Sequence, residues 1–183
     1  MIDGDYYMQK ILKIFTTLAL MLPVLALAHG PSRVKVVEQI EINAAPEKVW
    51  ALISDYCSIK EWNPVITDCV ADNGSQEQSI RTLSLENGEK FREQLVKYQA
   101  DQQQYTYMLM EPNPTAFPIN THGSTISVKA GENGGSIVEW KGAFYRLYKG
   151  MDPPPDQKDE VGKAALTRIY QSGLQNLKAL AEK

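Results

Sequence analysis

The sequence predicts an α+β domain in which an antiparallel sheet curls around a C-terminal helix. Three observations predict it. A strand-like stretch is followed at once by two short helical segments around Pro46 and Trp62. Stretches of strand-like residues divided by turn signals then run on to Phe144. A single long helical pattern closes the chain after Met151-Asp152-Pro153-Pro154-Pro155.

The elements follow in order. Val34 to Ile42 reads as the first strand, with Val36, Ile40 and Ile42 on one face and Glu41 opposite. Pro46 suits the first turn of a helix, where its missing N–H has no intrahelical partner to lose, and Glu47 to Ser54 turns Val49, Trp50 and Ile53 inward. A second short helix, Cys57 to Trp62, stops at Asn63-Pro64. Strands are expected at Val65 to Ala71, Ile80 to Leu85, Glu89 to Tyr98, Tyr105 to Met110, Ile119 to Lys129 and Ser136 to Phe144, which brings the sheet to seven strands. The terminal helix, Asp156 to Glu182, has Asp156 and Asp159 as cap and first-turn acid. Its inward stripe reads as Val161, Ala165, Ile169, Gly173 and Leu177, flanked by Leu166, Tyr170 and Leu174. Glycine inside a helix costs about 1 kcal/mol against alanine, so Gly173 predicts close approach by something bulky. A sheet wrapped on a helix in this way is expected to leave a hollow.

The hairpin at Glu86-Asn87-Gly88 is registered from its side chains. A two-residue loop would pair Leu83 with Arg92 and mix apolar and charged groups on both faces. A three-residue loop with Gly88 left-handed pairs Leu83 with Phe91, Thr82 with Arg92 and Arg81 with Glu93, and segregates the faces. The second register is the expectation. It sets Arg81 opposite Glu93 on the core side, beside Leu83, Leu85, Phe91 and Leu95.

Residues 1–28 read as a cleavable signal peptide: Lys10 and Lys13 supply positive charge, Ile14 to Leu27 an apolar run, and Ala26-Leu27-Ala28 a small-residue cleavage site. The run falls short of the ~20 residues of a membrane span, and Pro23 interrupts it. Asp3 and Asp5 fit poorly in a positive leader, which points to Met8 as the start. Cleavage leaves residues 29–183 as one domain in the periplasm. The removed segment carries two Asp and two Lys, so the net charge stays at −3. That leaves no broad basic field for nucleic acid or for an anionic membrane surface. Cys57 and Cys69, in an oxidising compartment, are either a disulfide or two small buried hydrophobes.

The stretch Glu41-Ile-Asn-Ala-Ala-Pro46-Glu-Lys-Val-Trp50-Ala-Leu-Ile-Ser-Asp55-Tyr, then Ile59-Lys-Glu-Trp62-Asn-Pro64, resembles the opening of the SRPBCC or START-like superfamily, also called Bet v 1-like or polyketide cyclase/dehydrase. Gly123-Ser-Thr-Ile-Ser-Val128, Val138-Glu-Trp140-Lys-Gly142-Ala-Phe144 and Tyr170-Gln-Ser-Gly173-Leu-Gln-Asn-Leu177 fit the same pattern, so the resemblance covers residues 29–183. It implies a helix-grip fold. The start at His29-Gly-Pro31 and the Arg81 to Glu93 hairpin are similar to MxaD-type periplasmic proteins of methylotrophic bacteria. That likeness implies a non-catalytic accessory role in methanol oxidation, helping methanol dehydrogenase meet its cytochrome c. It transfers no catalytic residues.

Candidate residues follow from the predicted hollow. Trp62, Arg81, Glu93, Tyr107, His122, Trp140 and Phe144 are expected to line it, with Trp62 at its mouth and Trp50, Tyr105 and Met110 lining or plugging it. Arg81 and Glu93 either anchor the polar end of an apolar ligand or form a structural cross-strand ion pair. His122 reads as an inward pocket histidine rather than a general base, because no partner for it is identified. Cleavage before His29 would join a free amine to an imidazole, a chelate that suits copper, with His122 as the only other imidazole; chance placement is the competing account. Met151, Pro153 and Pro154 form a stiff exposed edge suited to a partner. No serine or cysteine is recognised beside a histidine, nor a metal triad or phosphate loop, so the expectation is a non-catalytic protein without a cofactor. The alternative function is a carrier of a hydrophobic small molecule or lipid, or a cyclase-like enzyme on the same fold.

Overall fold

The computed structural model describes residues 31–183; the predicted signal peptide and His29 lie outside the described residues. Strand β1 (Val34–Ile42) leads into helices α1 (Pro46–Ile53) and α2 (Ile59–Trp62). Strands β2 (Ile66–Ala71), β3 (Ile80–Leu85), β4 (Lys90–Gln99), β5 (Gln104–Leu109), β6 (Ile119–Ala130) and β7 (Ser136–Arg146) precede the long helix α3 (Asp159–Ala181). The strands form one seven-stranded sheet in the order β1-β7-β6-β5-β4-β3-β2. Every pairing is antiparallel. The sheet curls on α3 in the helix-grip arrangement, α+β with two short helices after the first strand.

The β3–β4 hairpin adopts the three-residue loop. Leu83 pairs with Phe91, Thr82 with Arg92 and Arg81 with Glu93, and Gly88 takes a φ of 81° that a side chain would resist. Cys57 and Cys69 form a disulfide with Cα atoms 5.4 Å apart, tying the turn before α2 to the edge strand β2.

Several expectations are corrected. Helix α3 starts at Asp159, because Pro155–Gln157 forms a separate 3₁₀ turn. Asp156 lies in that turn and does not cap α3, whose N-cap position is Lys158. The inward face is also turned. Gly162, Leu166, Tyr170, Gly173, Leu174, Leu177 and Ala181 are buried, whereas Val161 is 38% exposed and Ala165 and Ile169 are half-buried. The glycines explain the choice of face. A Cβ on Gly162 would stand 2.8 Å from Ile119 Cγ2 and Phe144 Cε2, and one on Gly173 would stand 2.8 Å from Asn63 Nδ2 and 2.9 Å from Trp62 Cζ3. The helix therefore lies closest to its neighbours along the glycine line, and Trp62 and Asn63 are the bulky groups that Gly173 admits.

The expected hollow is filled. Trp62, Trp140, Tyr56, Tyr105, Tyr170 and Phe144 are among the largest fully buried side chains. Trp62 stands edge-on to Trp140 at 5.3 Å and sits inside the core, not at a mouth. Met110 is 41% exposed and neither lines nor plugs the interior. Trp50 is half-buried, with its ring 5.9 Å from Tyr98 and 6.2 Å from Tyr105.

Candidate functional site

Between the sheet and α3 remains a cavity of about 20 Å³, lined by residues that include Glu93, Tyr107, Phe117, His122, Trp140 and Tyr170. Arg81 stands behind Glu93, away from the lining, and its Nε and Nη2 donate to Glu93 Oε2 at 3.0 and 2.7 Å. Nη1 donates to the Tyr56 carbonyl. The guanidinium is sandwiched between the rings of Tyr56, at 4.0 Å, and Tyr107, at 4.8 Å. Burial pushes the Glu93 carboxyl up while Arg81 pulls it back. Burial alone would lower the Arg81 pKa, but Glu93 and the surrounding tyrosines raise it. Two ionic hydrogen bonds and two aromatic faces thus replace the water this charge gave up.

His122 is held inside by an irregularity of β6. Thr121 adopts a φ of 48° and the pairing with β7 shifts between Asn120 and Gly123, so the strand regains its alternation with His122 and Ser124 both facing inward. His122 Nε2 lies 2.7 Å from Ser124 Oγ and 3.1 Å from the Tyr170 hydroxyl, and Ser124 and Tyr170 are also hydrogen-bonded to each other. Gly142, which pairs with Ser124 on β7, makes this junction possible, because a Cβ there would run into Ser124 Oγ and the Tyr170 hydroxyl. Burial lowers the His122 pKa to about 4, so the imidazole is neutral at neutral pH. Its Nδ1 is buried and has no hydrogen-bond partner among the described residues. Trp140 Nε1 donates to the Tyr107 hydroxyl at 2.9 Å, and Trp140 stacks on Tyr170 at 4.3 Å.

Outside this cavity, α3 and the loop before β6 enclose a surface groove of about 420 Å³ lined by Val65, Leu85, Phe117, Val161, Ala165 and Ile169, with Arg168 at its rim. Phe117 and Ile169 line both the groove and the cavity. Val161, Ala165 and Ile169, which the sequence placed against the sheet, instead form a wall of this groove, while Gly173 and Leu177 of the same stripe and the flanking Leu166, Tyr170 and Leu174 are buried as expected.

A protein-family model described as polyketide cyclase / dehydrase and lipid transport matches residues 33–182. The chain belongs to this family. Similar solved structures include the protein XoxI from Bacillus cereus, 29% identical with a TM-score of 0.69, over 80% of this chain and 94% of that one. An uncharacterised protein from Bacillus thuringiensis is 30% identical with a TM-score of 0.68, over 80% of this chain and 98% of that one. The major latex-like protein 151 of Panax ginseng, at 13% identity and a TM-score of 0.63 over 82% and 99% of the two chains, shares the fold alone. No curated protein matches the chain.

In this cyclase and lipid-transport family member, the structure brings Arg81, Glu93, Tyr107, His122, Trp140 and Trp62 into one neighbourhood, with Arg81 and Trp62 behind the lining. Phe144 packs elsewhere, beneath Gly162. Met151 is 75% exposed and Pro153 and Pro154 are half-buried. This edge is anchored by Arg146, which donates to the carbonyls of Tyr148 and Gly150 and pairs with Asp159 at 3.4 Å. Sequence reasoning recognised no serine beside a histidine, and this is corrected: Ser124 touches His122. The i, i+2 alternation of a strand carried that signal. Tyr56 and Tyr170 were also missed as site groups, since each reaches the site through tertiary packing. A Ser–His pair serves as a nucleophile and base when a third group orients the imidazole. Among the described residues, Nδ1 has no such group.

Proposed function

We propose that the exported chain is a non-catalytic accessory protein of methanol oxidation in the periplasm, acting through its surface on methanol dehydrogenase and its cytochrome c. The observation that carries this reading is the filled interior. A cavity of about 20 Å³ is far below the ~300 Å³ of an ordinary ligand pocket, which leaves the surface, including the exposed Met151 edge, as the working part. The likeness to MxaD-type proteins supplies the pathway. In a pull-down of tagged protein from a periplasmic extract of its own source, mass spectrometry is expected to recover a quinoprotein methanol dehydrogenase or its cytochrome c. Recovery of a stoichiometric apolar molecule with no protein partner would overturn the accessory role.

A second reading, a carrier of an apolar small molecule, is favoured by one observation of its own. Val161, Ala165 and Ile169 give α3 a second apolar face that the described residues cover only in part, and Ile169 on this face also borders the cavity in which His122 Nδ1 has no partner among the described residues.

A further inference from the structure

On the reading that this protein works through its surface, we infer that the outer face of the sheet, across β1, β7, β6 and β5, is a docking groove for an acidic segment of a partner protein.

The groove follows from alternation and from two small residues. Strand side chains alternate between faces, and Val36, Trp140, Ile126 and Tyr105 are buried on the inner one. Their neighbours Lys35, Val37, Lys141, Thr125 and Thr106 therefore stand on the outer one. Across the strands Lys35 pairs with Ala143, Ala143 with Gly123 and Gly123 with Met108, so the middle of that row carries only a methyl group and a hydrogen. The result is a surface groove of about 490 Å³ with Gly123 and Ala143 in its floor. The fold does not require this glycine. Its φ is not positive, and a Cβ there would meet nothing closer than the Tyr107 carbonyl at 3.7 Å, an ordinary contact. Glycine inside a strand weakens it and often marks close approach by a ligand or another backbone.

Charge sets the partner. Arg33, Lys35 and Lys141 line the groove and, among the described residues, no carboxylate does, although the chain as a whole carries a net charge of −3. Lys141 pairs with Val37, so Lys35 is its diagonal neighbour at about 7–8 Å. Glu139 pairs with Lys141 at 2.9 Å, whereas Arg33 and Lys35 make no salt bridge among the described residues. Cations this close repel one another until carboxylates enter. Alternate side chains of an extended segment point to one side about 7 Å apart, so acids at every second position match the spacing of the lysines. Val37, 56% exposed, adds an apolar contact. The Thr106 and Thr125 hydroxyls, bonded to each other at 2.8 Å, keep one hydrogen to donate. Nucleic acid and an anionic membrane suit this face less well, because the overall negative charge opposes a long polyanion or a broad anionic surface, while a short acidic segment meets the local cations alone.

The test follows the backbone ¹H–¹⁵N spectrum of the purified protein during titration with a capped peptide of four Glu-Ala repeats, with the matching Gln-Ala and Lys-Ala peptides as controls. We expect only the glutamate peptide to move the Lys35, Gly123, Thr125 and Lys141 resonances, and its affinity to fall about tenfold between about 50 and 200 mM salt. Lys35→Glu combined with Lys141→Glu, both at exposed positions, is expected to remove binding. Gly123→Thr is expected to weaken it about tenfold while leaving the unfolding midpoint unchanged or higher, because threonine suits a strand. Binding that Gly123→Thr leaves untouched, or equal binding of the lysine peptide, would overturn the groove. Phosphatidylglycerol vesicles bound as tightly as the peptide would overturn the acidic segment in favour of a membrane, and sedimentation as a dimer that Gly123→Thr dissociates would do so in favour of a second copy. If the pull-down recovers the same partner with wild type and with the double lysine variant, this face is overturned and the accessory reading stands. If wild type neither binds the peptide nor recovers a partner, both fall.

Discussion

A guanidinium with no exposed surface, stacked between Tyr56 and Tyr107 and bonded twice to Glu93, stands or falls with its partners. Breaking a buried pair from one side leaves an uncompensated charge and costs about 3–5 kcal/mol, whereas replacing both members by apolar groups of similar volume is often neutral. Arg81→Met is therefore expected to lose most of that amount in urea denaturation, and Arg81→Met with Glu93→Leu less than half of it. An equal loss in the double variant would show that the apolar surroundings cannot close over the site. His122 gives a pH signature of its own. Its folded pKa, about 4, lies below the unfolded value of about 6.5. The unfolded chain thus binds the proton first as pH falls, and this residue's contribution is intact above about 6.5 and lost toward pH 4, in total about 3 kcal/mol. Denaturation midpoints of wild type and His122→Asn at pH 7, 5.5 and 4.5 are expected to converge as the pH drops. The Arg81–Glu93 pair was legible in the sequence because a hairpin register is a local matter. The His122–Ser124–Tyr170 junction was not, since Tyr170 arrives from 46 residues beyond Ser124 and the irregularity at Thr121 has no sequence signature.

At the scale of elements, the strands were readable because alternation and turn residues lie together along the chain, and their ends moved by a residue or two. The face of α3 was not readable in the same way. The helix is apolar on adjoining sides, so periodicity alone could not say which one meets the sheet. The deciding feature is the pair of glycines that let the helix approach Phe144 at one end and Trp62 at the other. Gly173→Ala measures this. Alanine improves helix propensity by about 1 kcal/mol, and its methyl meets the Trp62 ring and the Asn63 amide, whose displacement costs about 1–3 kcal/mol. That amide donates to the Ile169 carbonyl at 3.2 Å and cannot simply swing away. A net loss of about 1 kcal/mol in thermal or urea unfolding is expected, and a gain in stability would show that α2 yields freely.

For the molecule as a whole, the order of elements identified the architecture, and the resemblance read from short motifs agrees with a family match over residues 33–182. Whether the sheet encloses a hollow was not legible, because it depends on how Trp62, Trp140 and Tyr170 stack, and stacking is settled only in three dimensions. The closure of the fold has a further consequence. Asn43 N donates to Glu182 Oε1, Lys178 Nζ to the Glu41 carbonyl and Gln171 Nε2 to Glu38, across 139, 137 and 133 residues. Strand β1 meets β7 over a shorter but still long span, from Ile42 with Ser136 to Val34 with Phe144. Contacts this distant in sequence make folding slow relative to helical bundles, and they require the C-terminal helix to be present before the sheet's inner face is covered. A ribosome delivering ~5–20 residues per second therefore supplies the closing helix last. Until it arrives, the apolar inner face of the sheet has no helix to pack on.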